Sequence, residues 1–148
     1  ARALINLTVE EGETLVDPCC GVGTVLIEAA DMGIDAAGFD INPKVVRAAR
    51  ENLVHFGFLP NVHALDAAHI KAKFDGAIVD LPYGKFIYHQ LWEYDGLLAR
   101  LRHIANRATV LYSCDITAHL GEFGLRVMDR VVMPKGRFQR HIHICTTS

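Results

Sequence analysis

Four aspartates in this chain stand where short apolar runs end, and two of them keep company that a simple turn does not require. Asp17 closes Thr14-Leu15-Val16 and is followed by Pro18-Cys19-Cys20-Gly21-Val22-Gly23-Thr24. Asp80 closes the apolar run 74–79 and is followed by Leu81-Pro82-Tyr83-Gly84. A plain turn uses the proline and the glycine; it has no need of the acid or the tyrosine. Between these two stretches, Asp40 ends Ala36-Ala37-Gly38-Phe39, and Asp66 follows the run 61–65.

Gly21 and Gly23 let the backbone turn tightly and approach a ligand with no Cβ in the way. A helix opening near Thr24 points free N–H groups at that ligand. A dinucleotide loop would read Gly-x-Gly-x-x-Gly, but the third position is Leu26. Asp17 and Pro18 also place a negative charge where a pyrophosphate would lie. A cationic or zwitterionic ligand fits better, and S-adenosylmethionine carries both a sulfonium and an ammonium group. Asp40 stands about 20 residues beyond the glycine loop, where α/β nucleotide folds put a ribose-binding acid. Asp66 is placed to meet an adenine edge. Each acid also has a plainer reading: a strand-ending carboxylate for Asp17, an acid before a helix for Asp40, a surface loop acid for Asp66.

The elements that must position these groups alternate in type. Strands are expected at Thr14–Asp17, Ala36–Asp40, Asn61–Leu65, Phe74–Val79 and Ala108–Tyr112. The run 74–79 has consecutive rather than alternating apolar residues, which suits a strand covered on both faces. Helices are expected over residues 3–7, over 24–32 and from Asn42-Pro43 to Gly57, with Asn42 as cap and Pro43 at the first helical position. Leu91, Leu97, Leu98, Leu101 and Ile104 predict one long helix with Gly96 a weak spot inside it. The tail reads as two strands, 125–133 and 141–145, joined by a loop over 134–139. Strands alternating with helices argue for an α/β domain with a mostly parallel sheet, here with an antiparallel C-terminal edge. All four acids then share the carboxyl edge, where open α/β sheets bind ligands.

Bulk properties set the remaining bounds. The chain has 148 residues with a net charge of −2 and half its residues apolar; that is one ordinary domain with a sizeable core and no overall basic signature. No signal peptide and no run long enough to span a bilayer is present. Cys19, Cys20, Cys114 and Cys145 fit neither a zinc spacing nor a disulfide framework, so a reduced, cytoplasmic protein is expected. The chain opens at Ala1 without a methionine, consistent with a fragment lacking an N-terminal RNA-binding domain or with a processed product.

With these residues in place the chain resembles the class I S-adenosylmethionine-dependent methyltransferases. The stretch 17–30, DPCCGVGTVLIEAA, looks like their first motif as it occurs in RNA methylases, and 38–53, GFDINPKVVRAARENL, looks like the second region. Asp80-Leu81-Pro82-Tyr83 resembles the (Asp/Asn)-Pro-Pro-(Tyr/Phe) motif of amino-group methylases. The opening ARALINL is similar to the helix before the first motif in the THUMP-associated subgroup, which methylates the exocyclic amine of guanine in tRNA. The resemblance implies a Rossmann-like class I methyltransferase fold, a seven-stranded mostly parallel sheet with an antiparallel C-terminal edge strand and helices on both faces. It implies S-adenosylmethionine held by Asp17, Pro18, Cys19, Gly21, Gly23, Thr24, Asp40, Ile41, Asp66, Ala67 and Asp80. It implies a catalytic set of Asp80, Leu81, Pro82 and Tyr83: Asp80 and the Leu81 carbonyl each accept one N–H of the amine, Pro82 fixes the backbone, and Tyr83 stacks on the base. Leu81 departs from the Pro-Pro form and gives up one ring of rigidity, while leaving the carbonyl in place. The partner implied is RNA, tRNA first, with no membrane and no metal. Two alternatives stand beside this reading: an adenine-N6 methylase acting on DNA or RNA, and a cofactor-binding module inactive without a missing substrate-binding domain.

Other residues invite a function without carrying one. His141 and His143 share one strand face with no third metal ligand evident, so they are expected as exposed strand histidines. The Cys19 and Cys20 side chains read as packing, as does Trp92; Phe86 is left open, and Lys85 adjoins the site. Lys135, Arg137, Arg140 and His141 cluster near the last loop, as RNA-phosphate contacts or as a solvated hairpin tip.

Overall fold

A computed structural model describes residues 1–82 and 90–147 of the chain. The sheet has seven strands: β1 (Thr14–Asp17), β2 (Asp35–Asp40), β3 (Val62–Ala64), β4 (Phe74–Asp80), β5 (Ala105–Tyr112), β6 (Arg126–Lys135) and β7 (Phe138–Thr146). Their spatial order is β3-β2-β1-β4-β5-β7-β6. The first five run parallel. β7 is antiparallel to β5 on one side and to β6 on the other. The antiparallel C-terminal element is thus a hairpin folded back so that β7 lies inside and β6 is outermost.

Helices cover both faces: α1 (Arg2–Thr8), α2 (Thr24–Asp31) and α3 (Pro43–His55) on one, α4 (Asp95–Ile104) and α5 (Thr117–Glu122) on the other. Alternate residues of the central strands feed the two sides. Leu15, Ile78 and Leu111 pack with Ile5, Val9 and Ala29. Val16, Val79 and Val110 pack with Leu98, Leu101 and Ile104. Ala77, Ile78 and Val79 are wholly buried, as a strand covered twice requires. Asn42 caps α3 by accepting from the Lys44 N–H at 3.0 Å, with Pro43 at the first position.

The third glycine of a dinucleotide loop normally lets helix and strand approach closely. Here Leu26 occupies that position, and the space comes from the strand: a Cβ on Gly38 would meet the Leu26 Cδ1 at 2.3 Å. Gly76 does the same for α1, since a Cβ there would lie 2.5 Å from Val9 Cγ1 and 3.0 Å from the Thr8 carbonyl oxygen.

Several boundaries differ from expectation for physical reasons. The long helix from Leu91 is instead a 3-10 turn, Leu91–Tyr94, followed by α4. Asp95 opens α4, where a carboxylate is favoured by the helix dipole. Trp92, expected to pack, is exposed on this turn, while Leu91 and Tyr94 pack against the core. β5 starts at Ala105 because pairing with Phe74 and Thr146 extends its ladder. The 134–139 loop is zipped into paired strand down to Lys135 opposite Phe138. Pro134 is tolerated because β6 is an edge strand. His143, expected to be exposed, is fully buried, beneath the Asp115–Ile116 segment that leads into α5. Its Nδ1–H donates to the Val110 carbonyl and its Nε2 accepts from the Ile116 N–H, each at 3.1 Å. That pairing requires the neutral ring, and burial lowers its pKa accordingly. α5, with its Asp115 acceptor for the Thr117 N–H and hydroxyl, had no clear sequence signal.

Candidate active site

The carboxyl edge of the parallel strands carries a cavity of about 630 Å³. It runs from the ends of β2 and β3, past the glycine loop after β1, to the end of β4. Pro18, Cys19, Gly21, Asp40, Ile41, Asp66, Ala67, Asp80 and Pro82 line it, nine residues anticipated from sequence. Ala68, Glu93, Tyr94, Gly96 and Leu97 complete the wall. Glu93, Tyr94, Gly96 and Leu97 belong to a region read only as helix; the acid Glu93 and the aromatic Tyr94 just before α4 are the available signal. Tyr83, Gly84, Lys85 and Phe86 lie outside the described residues.

The loop that forms the middle of the cavity is tied down from two sides. Gly21 (φ +53°) and Gly23 (φ +91°) take left-handed backbone that other residues rarely adopt. Gly21 donates its N–H to Asp40 Oδ2 at 3.1 Å, and Asn42 donates its N–H to Oδ1 of the same group at 2.9 Å. An ionised carboxylate offers about four acceptor directions, so Asp40 holds the loop and still has two for ligand hydroxyls. Asp66 caps the 3-10 turn Ala67–His69 by accepting from the Ala68 N–H at 2.9 Å. That fixes Ala67 and Ala68, which with Ile41 supply apolar lining to the cavity.

Asp17, Gly23, Thr24 and Leu81 do not line the cavity. Gly23 packs instead against Ala49, where a Cβ would meet the Ala49 Cβ at 3.4 Å. Asp17 is 5% exposed, beneath the loop, and accepts from the Cys19 N–H at 3.2 Å. Burial pushes its pKa up to about 7, opposed by that hydrogen bond and aided by the negative charges of Asp80 and Asp40. Burial, with the negative charges of Asp17 and Asp40 beside it, pushes the Cys19 and Cys20 thiols up to about 12, so both stay protonated. Cys20 is buried core, as expected, whereas Cys19 packs on the core and also faces the cavity.

At the β4 end, Leu81 is wholly buried and donates its N–H to the Leu111 carbonyl at 3.2 Å. A proline here could not make that bond. The rigidity given up with the missing ring is therefore supplied by sheet pairing and core burial. Asp80 lines the cavity, and its Oδ2 accepts from Arg140 Nη2 on β7. Burial raises the Asp80 pKa, while Arg140 and Lys135 pull it down; the net direction is upward. In sequence Arg140 reads as a phosphate contact or part of a solvated hairpin tip, and nothing there links it to a carboxylate 60 residues away.

Three acids, Asp40, Asp66 and Glu93, thus ring a cavity that Asp80 closes and Asp17 underlies. Such a donor set repels phosphate and favours a cationic ligand. Among the described residues no group of three His, Cys, Asp or Glu is placed to hold a metal ion. No helix of the described residues is long and apolar enough to cross a membrane.

Comparison with known proteins gives a consistent picture. Residues 1–108 match the model of the UPF0020 family, RMKL-like methyltransferase domain. A tRNA (guanine(10)-N2)-dimethyltransferase of Methanothermobacter thermautotrophicus is 41% identical over 88 residues, covering 57% of this chain and 26% of that protein. The match therefore spans about a quarter of the relative's length. Among solved structures, TrmN from Thermus thermophilus superposes with a TM-score of 0.79 at 21% identity, covering 98% of this chain and 47% of the other. A magnesium protoporphyrin IX methyltransferase from Synechocystis, solved with bound SAM, superposes with a TM-score of 0.76 at 22% identity, covering 98% and 74%. At these identities the structural likeness establishes the fold, that of the class I methyltransferases.

Proposed function

The chain belongs to the UPF0020 family of RMKL-like methyltransferase domains, and from that premise we propose that it transfers a methyl group from S-adenosylmethionine to the exocyclic amine of guanine in RNA, tRNA being the RNA class. The observation that carries this reading is the shared cavity. One space is bounded by the glycine loop and acids at its centre, and by Asp80 and Pro82 at its end.

The residues present fit the methyl donor. Gly21 and Asp40 would hold its ribose side, Ile41, Ala67 and Ala68 its adenine, and the ring of carboxylates its positive charges. When bound, S-adenosylmethionine supplies a methyl group on a sulfonium, an electrophile that needs no further activation.

What this chain must add is a positioned amine. The lone pair of an exocyclic base amine is delocalised into the ring, so the amine is a poor nucleophile until it is oriented. Asp80 Oδ1 accepts one N–H, since Oδ2 is engaged by Arg140. The Leu81 carbonyl would accept the other; it belongs to the Leu81–Pro82 peptide, next to the Leu81 N–H that is bonded to β5, and with Leu81 wholly buried the base must displace what covers it to reach that oxygen. Pro82, exposed at the cavity lip, fixes where that carbonyl points. The target base must be unpaired or flipped to reach this place. Orientation of this kind can supply roughly 7–11 kcal/mol of a barrier in favourable cases. As the carbon–sulfur bond of the donor breaks and the N–C bond forms, the amine would become acidic, and Asp80 Oδ1 would be an anchored acceptor for its proton. The upward pKa of Asp80 suits that late transfer.

The guanine activity for which the Methanothermobacter relative is named supports guanine over adenine. The test is transfer of labelled methyl to a tRNA transcript and to DNA, followed by nucleoside analysis. N2-methylguanosine in RNA supports the reading, N6-methyladenine replaces it, and binding of the donor without transfer to either assigns a binding module.

A further inference from the structure

The chain's charge is divided unevenly. Residues 126–146, the β6–β7 hairpin, hold five of the fifteen Lys and Arg but one of the seventeen Asp and Glu, so the hairpin carries +4 and the remainder of the chain −6. This basic element stands beside a cavity ringed with acid. Its tip is a two-residue turn, Gly136-Arg137, with Gly136 at φ +61°. Glycine at the first position suits the twist of paired strands, so the tip is preorganised.

The tip also has a defined face. Lys135 is paired directly opposite Phe138, and Arg140 lies two residues on, on the same side as Phe138. Arg140 reaches the acceptor carboxylate, Asp80. Phe138 is 43% exposed, an aromatic ring left in solvent between cations. Below it the same face continues into an apolar cavity of about 500 Å³ between α1 and the hairpin, walled by Leu4, Leu7 and Met133. Cations interleaved with an exposed aromatic ring suit a strand of nucleic acid: phosphates take the charge and any base can stack on the ring.

We propose that this face of the hairpin tip is the track for the RNA strand that delivers the target base, with Lys135 and Arg137 on its phosphates and a base flanking the target stacked on Phe138. The choice of RNA as partner rests on the function proposed above. Continuity with Asp80 gives the strand its direction: the track ends at the residue that must receive the base amine. It also gives the chain a local basic surface despite its overall negative charge.

The experiment measures binding, not turnover. Fluorescence anisotropy with a tRNA transcript and with a short single-stranded RNA, over a series of KCl concentrations, gives the affinity and its salt slope. Lys135→Gln with Arg137→Gln is expected to lower the steepness of log K against log[salt] by about 1.4, two single-strand phosphate contacts. Phe138→Ala is expected to weaken binding roughly 5- to 150-fold with the slope unchanged. Arg47→Gln and Lys73→Gln, exposed cations outside the hairpin, should behave as wild type, and melting curves confirm that each variant is folded. A wild-type slope in the double variant, wild-type affinity in Phe138→Ala, equal losses in the two controls, or no RNA binding by the wild type at low salt overturns the proposal. Hairpin-dependent RNA binding without methyl transfer would leave this inference standing and sink the proposed reaction; methyl transfer with an indifferent hairpin would do the reverse.

Discussion

Asp17 makes the donor site pH-sensitive in a direction that can be worked out. In the folded chain its carboxyl titrates at about 7, well above its ordinary 3.8, because it is buried and close to Asp80 and Asp40. A group raised on folding stabilises the fold in its protonated form. That contribution is complete below 3.8 and is lost as pH rises through about 7. A cation bound above the loop reverses the preference, because it favours the carboxylate beneath it. Binding must therefore release a proton wherever Asp17 starts out protonated. If the cation returns Asp17 to its ordinary range, affinity for S-adenosylmethionine should fall about tenfold from its high-pH plateau by pH 6 and about a hundredfold by pH 5. Calorimetry at several pH values, in buffers of different ionisation enthalpy, reads both the affinity and the proton. Asp17→Asn is the matched control, since its amide oxygen can still accept from the Cys19 N–H. It should bind with a flat pH profile, more weakly than wild type at pH 8, and it should melt at a higher temperature there. An affinity constant from pH 5 to 8 in the wild type, or an unaltered slope in Asp17→Asn, would refute the reasoning.

Three further outcomes follow from particular contacts. Arg140→Gln removes the cation on Asp80 Oδ2. The side chains are 24% and 45% exposed, so the pair is partly screened and its coupling is about 1 kcal/mol, roughly a fivefold rate change. A double-mutant cycle with Asp80→Asn under single-turnover conditions measures it, and the acid limb of the Arg140→Gln profile should move to higher pH. Gly76→Ala forces a methyl into Val9 and the Thr8 carbonyl and should cost about 1–3 kcal/mol, read by urea unfolding. Leu81→Pro brings the motif to its Pro-Pro form yet removes a buried side chain and the N–H bonded to Leu111. It should destabilise the chain by at least about 2 kcal/mol in the same assay.

The parts of the fold that sequence revealed are those governed by local chemistry. The β1 strand, the Asn42-Pro43 start of α3 and the consecutive apolar residues Ala77, Ile78 and Val79 of β4 announce themselves through caps and apolar pattern. The glycine loop and the strand-end acids were legible because the carboxyl edge of a parallel sheet collects whatever ends its strands. What escaped depends on partners distant in sequence. His143 is buried because the Asp115–Ile116 segment before α5 lies against its ring. Asp17 ends its strand as expected, but its depth beneath the loop depends on how the loop folds back onto Asp40. Arg140 meets Asp80 only because β7 slots in beside β5. The split of the Leu91 helix into a 3-10 turn and α4, which turns Glu93 and Tyr94 toward the cavity, breaks no apolar spacing and so leaves no periodic trace.

The central claim is that the acceptor end of β4 orients a guanine amine toward a methyl donor in the adjoining cavity. The most direct measurement gives the chain methyl-labelled S-adenosylmethionine and a tRNA transcript, and compares wild type with Asp80→Ala by nucleoside mass spectrometry alongside donor affinity. The account predicts label on guanine N2 with wild type, and with Asp80→Ala a loss of transfer while the donor still binds. Full transfer by Asp80→Ala, or label on any atom other than an exocyclic base amine, would contradict it.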